Sequence, residues 1–85
     1  MLIRVRSRDG LERVKVDKPN PTVGDLKSLI QSQLQVPISS QILSTSQNLL
    51  LAKGGNIQQF KDMEDPNMLL SSLGIDHGHI VFLSY

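Results

Sequence analysis

From Leu2 to Val16 aliphatic and charged residues alternate, with Ile3, Val5, Val14 and Val16 on one side and Arg4, Arg6, Arg8, Arg13 and Lys15 on the other. A period of two belongs to a strand with one buried face, and Asp9-Gly10 in the middle is a tight-turn dipeptide. Residues 1–17 therefore predict an antiparallel hairpin, aliphatic on one face and cationic on the other. Lys18-Pro19-Asn20-Pro21 closes it, because proline has no N–H to give to a ladder.

The aliphatic face needs a cover, and the next segment supplies one. In Thr22-Val23-Gly24-Asp25 the Thr hydroxyl and a short acidic side chain can satisfy the free N–H groups of a helix start. Val23, Leu26, Ile30 and Leu34 follow at helical spacing, Leu29 widens the stripe, and Lys27, Ser28, Gln31 and Ser32 lie opposite. The spacing predicts one amphipathic helix over 23–34 packed on the hairpin, ended by Pro37, which biases its predecessor away from helical geometry.

Gln41–Ser44 and Asn48–Leu51 are short apolar runs around Thr45-Ser46-Gln47, and predict two further strands. Residues 52–67 carry Gly54-Gly55, Pro66 and the acidic run Asp62-Met63-Glu64-Asp65, a loop composition. Leu69, Leu70, Leu73 and Ile75 predict a helical turn stopped at Gly74. His79 to Tyr85 alternates as a last strand, with Ile80 and Phe82 on one face and Val81, Leu83 and Tyr85 on the other. The reading is an α+β fold of the ubiquitin-like β-grasp type, a mixed sheet with one main helix packed across it. A chain of 85 residues has room for a single core, so residues 1–85 form one domain.

Composition narrows the function. No Cys is present, which excludes disulfides, thiolate catalysis and Cys-based zinc sites. His77 and His79 are too few donors for a closed metal site. Ala52-Lys53-Gly54-Gly55 lacks the phosphate-loop spacing, and Asp62, Glu64 and Asp65 lack an EF-hand pattern. Asp76-His77 has no nucleophile-elbow or oxyanion motif to make it catalytic. These absences predict a chain that is not an enzyme and needs no cofactor. Neither a secretory apolar stretch nor a run approaching the roughly 20 apolar residues of a membrane span occurs, so the expected location is cytoplasm or nucleus.

Charge points to a binding surface. Residues 1–18 hold six cations and three anions, whereas the rest holds three and five. Nucleic-acid binding is the alternative that this hairpin permits, but net charge is only +1 and Tyr85 alone offers base stacking nearby, so no nucleic-acid partner is expected.

Particular segments carry a resemblance. Val36–Leu43 and Leu70–Ile75 resemble the corresponding segments of ubiquitin. Ile3–Val14 (IRVRSRDGLERV) and Leu73–Leu83 (LGIDHGHIVFL) together resemble the N-terminal ubiquitin-like (UBX-like) domain of the nuclear protein localization protein four family, in its plant form. The resemblance implies a monomeric module of an adaptor that works with ubiquitin fusion degradation protein one, bound through other parts of the full protein. It further implies docking on the N-terminal domain of the AAA ATPase valosin-containing protein, which unfolds ubiquitylated substrates for degradation, at sites that include the cytosolic face of the endoplasmic reticulum. Related UBX domains insert a Phe-Pro-Arg loop between the third and fourth strands, where this chain has Thr45, Ser46, Gln47 and Asn48. No Gly-Gly tail follows Tyr85, unlike a conjugated modifier.

In a β-grasp the last strand lies beside the first, so Val81 and Leu83 are expected beside Arg4 and Arg6. Arginine among aliphatic groups is the composition of interface hot spots. The expected partner-binding set is Arg4, Arg6, Thr45, Ser46, Gln47, Asn48, Val81 and Leu83. A ubiquitin-like surface read by proteasome or ubiquitin receptors is the nearer alternative, disfavoured because Arg8 and Ser44 stand at two positions of ubiquitin's aliphatic patch.

Overall fold

A computed structural model of the chain describes residues 1–51 and 60–85. Strands β1 (Leu2–Ser7) and β2 (Gly10–Lys15) form the antiparallel hairpin. Gly10 takes φ +123°, a conformation that only glycine adopts without strain, which is why the reversal falls there. Helix α1 (Val23–Leu34) follows, then β3 (Ile42–Ser44) and β4 (Ile80–Ser84).

The four strands run in the order β2-β1-β4-β3, with β1 and β4 parallel at the centre and both edge pairings antiparallel. Helix α1 crosses one face and turns Val23, Leu26 and Ile30 into the core, where they meet Ile3, Val5 and Val14. Each such side chain removed from water stabilises the fold by about 1.5–3 kcal/mol before entropic costs.

Both ends of α1 follow from local chemistry. The Asp25 amide donates to the Thr22 hydroxyl (3.1 Å) and the Thr22 amide to the Asp25 carboxylate (2.9 Å), so the box closes even with an acid shorter than Glu. At the other end Gln35 turns left-handed (φ 61°) and donates its N–H to Gln31. Helical geometry therefore stops ahead of Pro37. Gln41, only 5% exposed, clamps the helix to the sheet through its amide nitrogen, which donates to the carbonyls of Lys27 and Val36, both at 2.9 Å.

Two expectations need correction. Asn48–Leu51 is not a strand: Gln47–Leu51 forms a 3₁₀ segment. Ser46 captures the local donors, its hydroxyl accepting from the Asn48 amide (3.3 Å) and its carbonyl from the Leu49 amide (3.2 Å). Such side-chain and i+3 bonds outcompete a ladder for a short segment, and they turn Leu49 inward while Leu51 stays 75% exposed. The second correction concerns β4. Val81 and Leu83 do not join the cations; they are 0% and 1% exposed. The parallel register with β1 sets Val81 beside Val5, and the antiparallel register with β3 sets Leu83 beside Leu43, both core residues, so their faces are inward by neighbourhood.

Of the expected loop over 52–67, residues 52–59 lie outside the described residues. The remainder is irregular, but Met63 is buried. Leu70–Leu73 is the helical turn, and Gly74 ends it at φ 73°. His77 and His79 shape the turn into β4: the Nδ1 atoms accept from the backbone amides of Leu2 (3.0 Å) and Asp76 (2.6 Å).

Candidate partner-docking face

The sheet face opposite α1 is built by the outward parity of the central strands. Arg4 and Arg6 project from β1, and across the antiparallel ladder Arg4 faces Arg13, Arg6 faces Leu11 and Leu2 faces Lys15. On the other flank the parallel ladder sets Arg4 beside Ile80 and Arg6 beside Phe82. The apolar companions of the cations are therefore Ile80 and Phe82, each half-buried, in place of Val81 and Leu83.

Arg4 is pre-oriented, since its Nε donates to the Gly78 carbonyl at 2.9 Å. None of the face cations has a carboxylate partner among the described residues, where the salt bridge is Lys18 to Asp25 at 3.1 Å. Placing Arg4 opposite Arg13 is unfavourable for the isolated domain, because like charges directly across a ladder repel. A rule broken without internal compensation is commonest at functional sites.

Beside this cationic row the 3₁₀ segment packs alongside β4, and the two border a groove of about 420 Å³ lined by Arg6, Gln47, Leu50, Leu51, Ile80 and Phe82. Arg6, an exposed residue without a salt-bridge partner among the described residues, lines this groove, where an arginine can offer its aliphatic stem to apolar neighbours and its charge to a ligand. Of the four expected loop residues, Gln47 joins Arg6 here.

Thr45 and Ser46 are committed elsewhere. The Asp62 carboxylate accepts from the Thr45 amide and hydroxyl, both at 2.9 Å, and from the Ser44 hydroxyl at 2.8 Å. Ser46 donates its amide to the same Ser44 hydroxyl at 3.0 Å. Burial alone would raise the Asp62 pKa, but the hydrogen bonds from Thr45 and Ser44 outweigh it and hold the carboxyl below its ordinary range. Asn48 is exposed. At the end of the sheet the Tyr85 hydroxyl donates to Asp9 and the Arg8 guanidinium lies 4.5 Å over the Tyr85 ring, so Tyr85 does meet a cation.

Sequence reasoning missed Leu50, Leu51, Ile80 and Phe82. One signal was available for β4: Ser84 shares the parity of Ile80 and Phe82, whereas Val81, Leu83 and Tyr85 are apolar throughout, which marks the first set as outward. Among the described residues no cluster of three or more His, Cys, Asp or Glu is arranged to hold a metal ion.

The sequence matches the family described as nuclear pore localisation protein NPL4 over residues 1–84. It is 59% identical over 85 residues to NPL4-like protein 1 of Arabidopsis thaliana, covering 99% of this chain and 21% of that protein. It is 42% identical over 86 residues to an NPL4-like protein of Oryza sativa subsp. japonica, covering 100% of this chain and 20% of that protein. The chain thus spans about a fifth of the length of these relatives. Among solved structures, a β-grasp-like domain of an Arabidopsis thaliana hypothetical protein superposes with TM-score 0.91 at 59% identity, covering 99% of this chain and 79% of that one. ATBAG1, solved in complex with HSP70, superposes with TM-score 0.70 at 13% identity over 99% of this chain and 39% of that one, a likeness of fold alone.

Proposed function

The chain belongs to the NPL4 family as a ubiquitin-like β-grasp domain, and from that membership we propose that it is the non-catalytic docking module of a ubiquitin-proteasome adaptor. Its partner in this reading is the N-terminal domain of the AAA ATPase valosin-containing protein. The full protein, through other parts, engages ubiquitin fusion degradation protein one and delivers ubiquitylated substrates in the cytoplasm and nucleus.

The observation that carries the reading is the convergence of Arg6 and Gln47, far apart in sequence, with Leu50, Leu51, Ile80 and Phe82 on one groove beside cations that lack partners among the described residues. A protein surface with exposed carboxylates complements such a face. The interface on this side comprises Arg4, Arg6, Gln47, Ile80 and Phe82, with Thr45, Ser46 and Asn48 at its margin.

Calorimetry of the wild type, Arg4→Glu and Arg6→Glu against the ATPase N-terminal domain tests it, with circular dichroism confirming each fold. Each reversal removes an attraction and adds a repulsion, so affinity falls by roughly 30-fold or more, equivalent to about 2 kcal/mol. Undiminished binding in both variants moves the interface off this face. Capture by a ubiquitin or proteasome receptor without ATPase binding would select the alternative that Arg8 and Ser44 disfavour, a ubiquitin-like surface read by such receptors.

A further inference from the structure

Resting on that docking reading, we infer that this domain supplies the socket and its partner the projecting anchor: the groove between β4 and Gln47–Leu51 receives one large apolar side chain from an acidic segment of the partner protein. Two independent features of the groove specify such an occupant.

The first is shape and lining. Phe82 and Ile80 on β4, Leu50 and Leu51 on the 3₁₀ segment, with Arg6 and Gln47, border an open groove of about 420 Å³, room for a leucine, methionine or phenylalanine side chain. Leu51 is 75% exposed, so an apolar occupant would take this leucine out of water as well as itself. The neighbouring loop cannot act as the anchor in its place. Thr45, Ser46, Gln47 and Asn48 include no large apolar side chain, and the Thr45 donors and the Ser46 amide are already used on Asp62 and Ser44.

The second is charge. Arg6 lies on the groove wall, and Arg4, Arg13 and Lys15 continue outward on the same face. Arg4 and Arg6 leave the same side of one strand roughly 7 Å apart, given a rise of about 3.3 Å per residue. Carboxylates flanking the apolar anchor would meet both guanidinium groups and relieve the repulsion between Arg4 and Arg13. A nucleic-acid phosphate chain would satisfy the arginines but leave the aliphatic socket without an occupant of matching chemistry, so an acidic protein segment fits better.

The test uses the ATPase N-terminal domain as probe, titrated into the wild-type chain, Leu51→Glu and Ser32→Ala, an exposed position on α1 across the sheet from the groove, with filtered nuclear Overhauser spectra recorded on the wild-type complex. The inference expects at least a tenfold loss for Leu51→Glu, a change within threefold for Ser32→Ala, and contacts from the Phe82 ring to an apolar partner side chain whose neighbours include Asp or Glu. Leu51 is exposed, so its replacement leaves the core intact. Wild-type binding that Leu51→Glu does not weaken, or that brings no partner protons to Phe82, overturns the socket and leaves the docking reading standing. No binding by the wild type overturns the docking reading and the socket with it. Binding of a single-stranded oligonucleotide at physiological salt with shifts at Phe82 overturns the acidic-segment occupant in favour of nucleic acid.

Discussion

Arg4 and Arg13 stand directly opposite one another on β1 and β2, two cations in register with no carboxylate paired to either among the described residues. Relieving that pair stabilises the free domain. Arg13→Thr substitutes a good strand former and is expected to gain about 0.2–1 kcal/mol, the usual size of a cross-strand term. Urea midpoints check it, and the gain should shrink in 1 M salt, where the Debye length is only about 3 Å. The same variant binds an acidic partner less tightly.

Leu83 and Ile80 test the parity of β4. Leu83 is 1% exposed, so Leu83→Ala removes core volume and is expected to cost about 2–5 kcal/mol in chemical denaturation. Ile80 is half-buried on the outer face, and Ile80→Ala costs clearly less. Equal losses would mean that the two faces of the strand are assigned wrongly.

Acid weakens two of the anchors. The carboxyls of Asp62 and Asp25 both titrate below the ordinary aspartate range, the latter through the Thr22 amide first and then the Lys18 ammonium. A depressed native pKa means that the unfolded chain takes up protons first. The stabilisation is therefore complete well above the unfolded value of about 3.9 and is lost as pH falls through the native pKa. Following the Asp62 side-chain carboxyl by NMR from pH 7 to 2 checks the direction. Asp62→Asn should flatten the acid limb of stability against pH.

Thr22 caps α1 through a single hydroxyl. Thr22→Ala leaves the Asp25 amide without its acceptor and is expected to cost about 1 kcal/mol, whereas Thr22→Ser keeps most of the cap. Thermal melts of the two variants side by side distinguish loss of the oxygen from loss of the methyl group.

The hairpin and helix α1 over residues 23–34 were legible because each rests on a pattern with polar contrast, whereas the central pairing of β1 with β4 was expected from the β-grasp topology. Ile3 and Val5 alternate with arginines, and the apolar stripe of α1 is backed by Lys27, Ser28 and Gln31. Local hydrogen-bonding chemistry was equally readable at Thr22 and Gly74, where the turn or cap depends on residues a few positions apart. Arg4 and Arg6 could be placed on an outward face for the same reason.

Contrast fails at Ile80-Val81-Phe82-Leu83, where every residue is apolar and either parity satisfies a period of two. Beyond these four residues Ser84 alone hints at the parity, and pairing with β1 fixed it, because Val81 lies beside buried Val5 and Phe82 beside Arg6. Asn48–Leu51 was misassigned to a strand for a related reason, since an apolar run this short fits a strand or a turn until its packing against β4 is known. By itself the sequence determined the hairpin, helix α1, the last strand and which residues are charged; the groove, which joins Arg6 to Gln47, Leu51 and Phe82, came from tertiary structure alone, because long-range strand pairing brings together side chains that no local period relates.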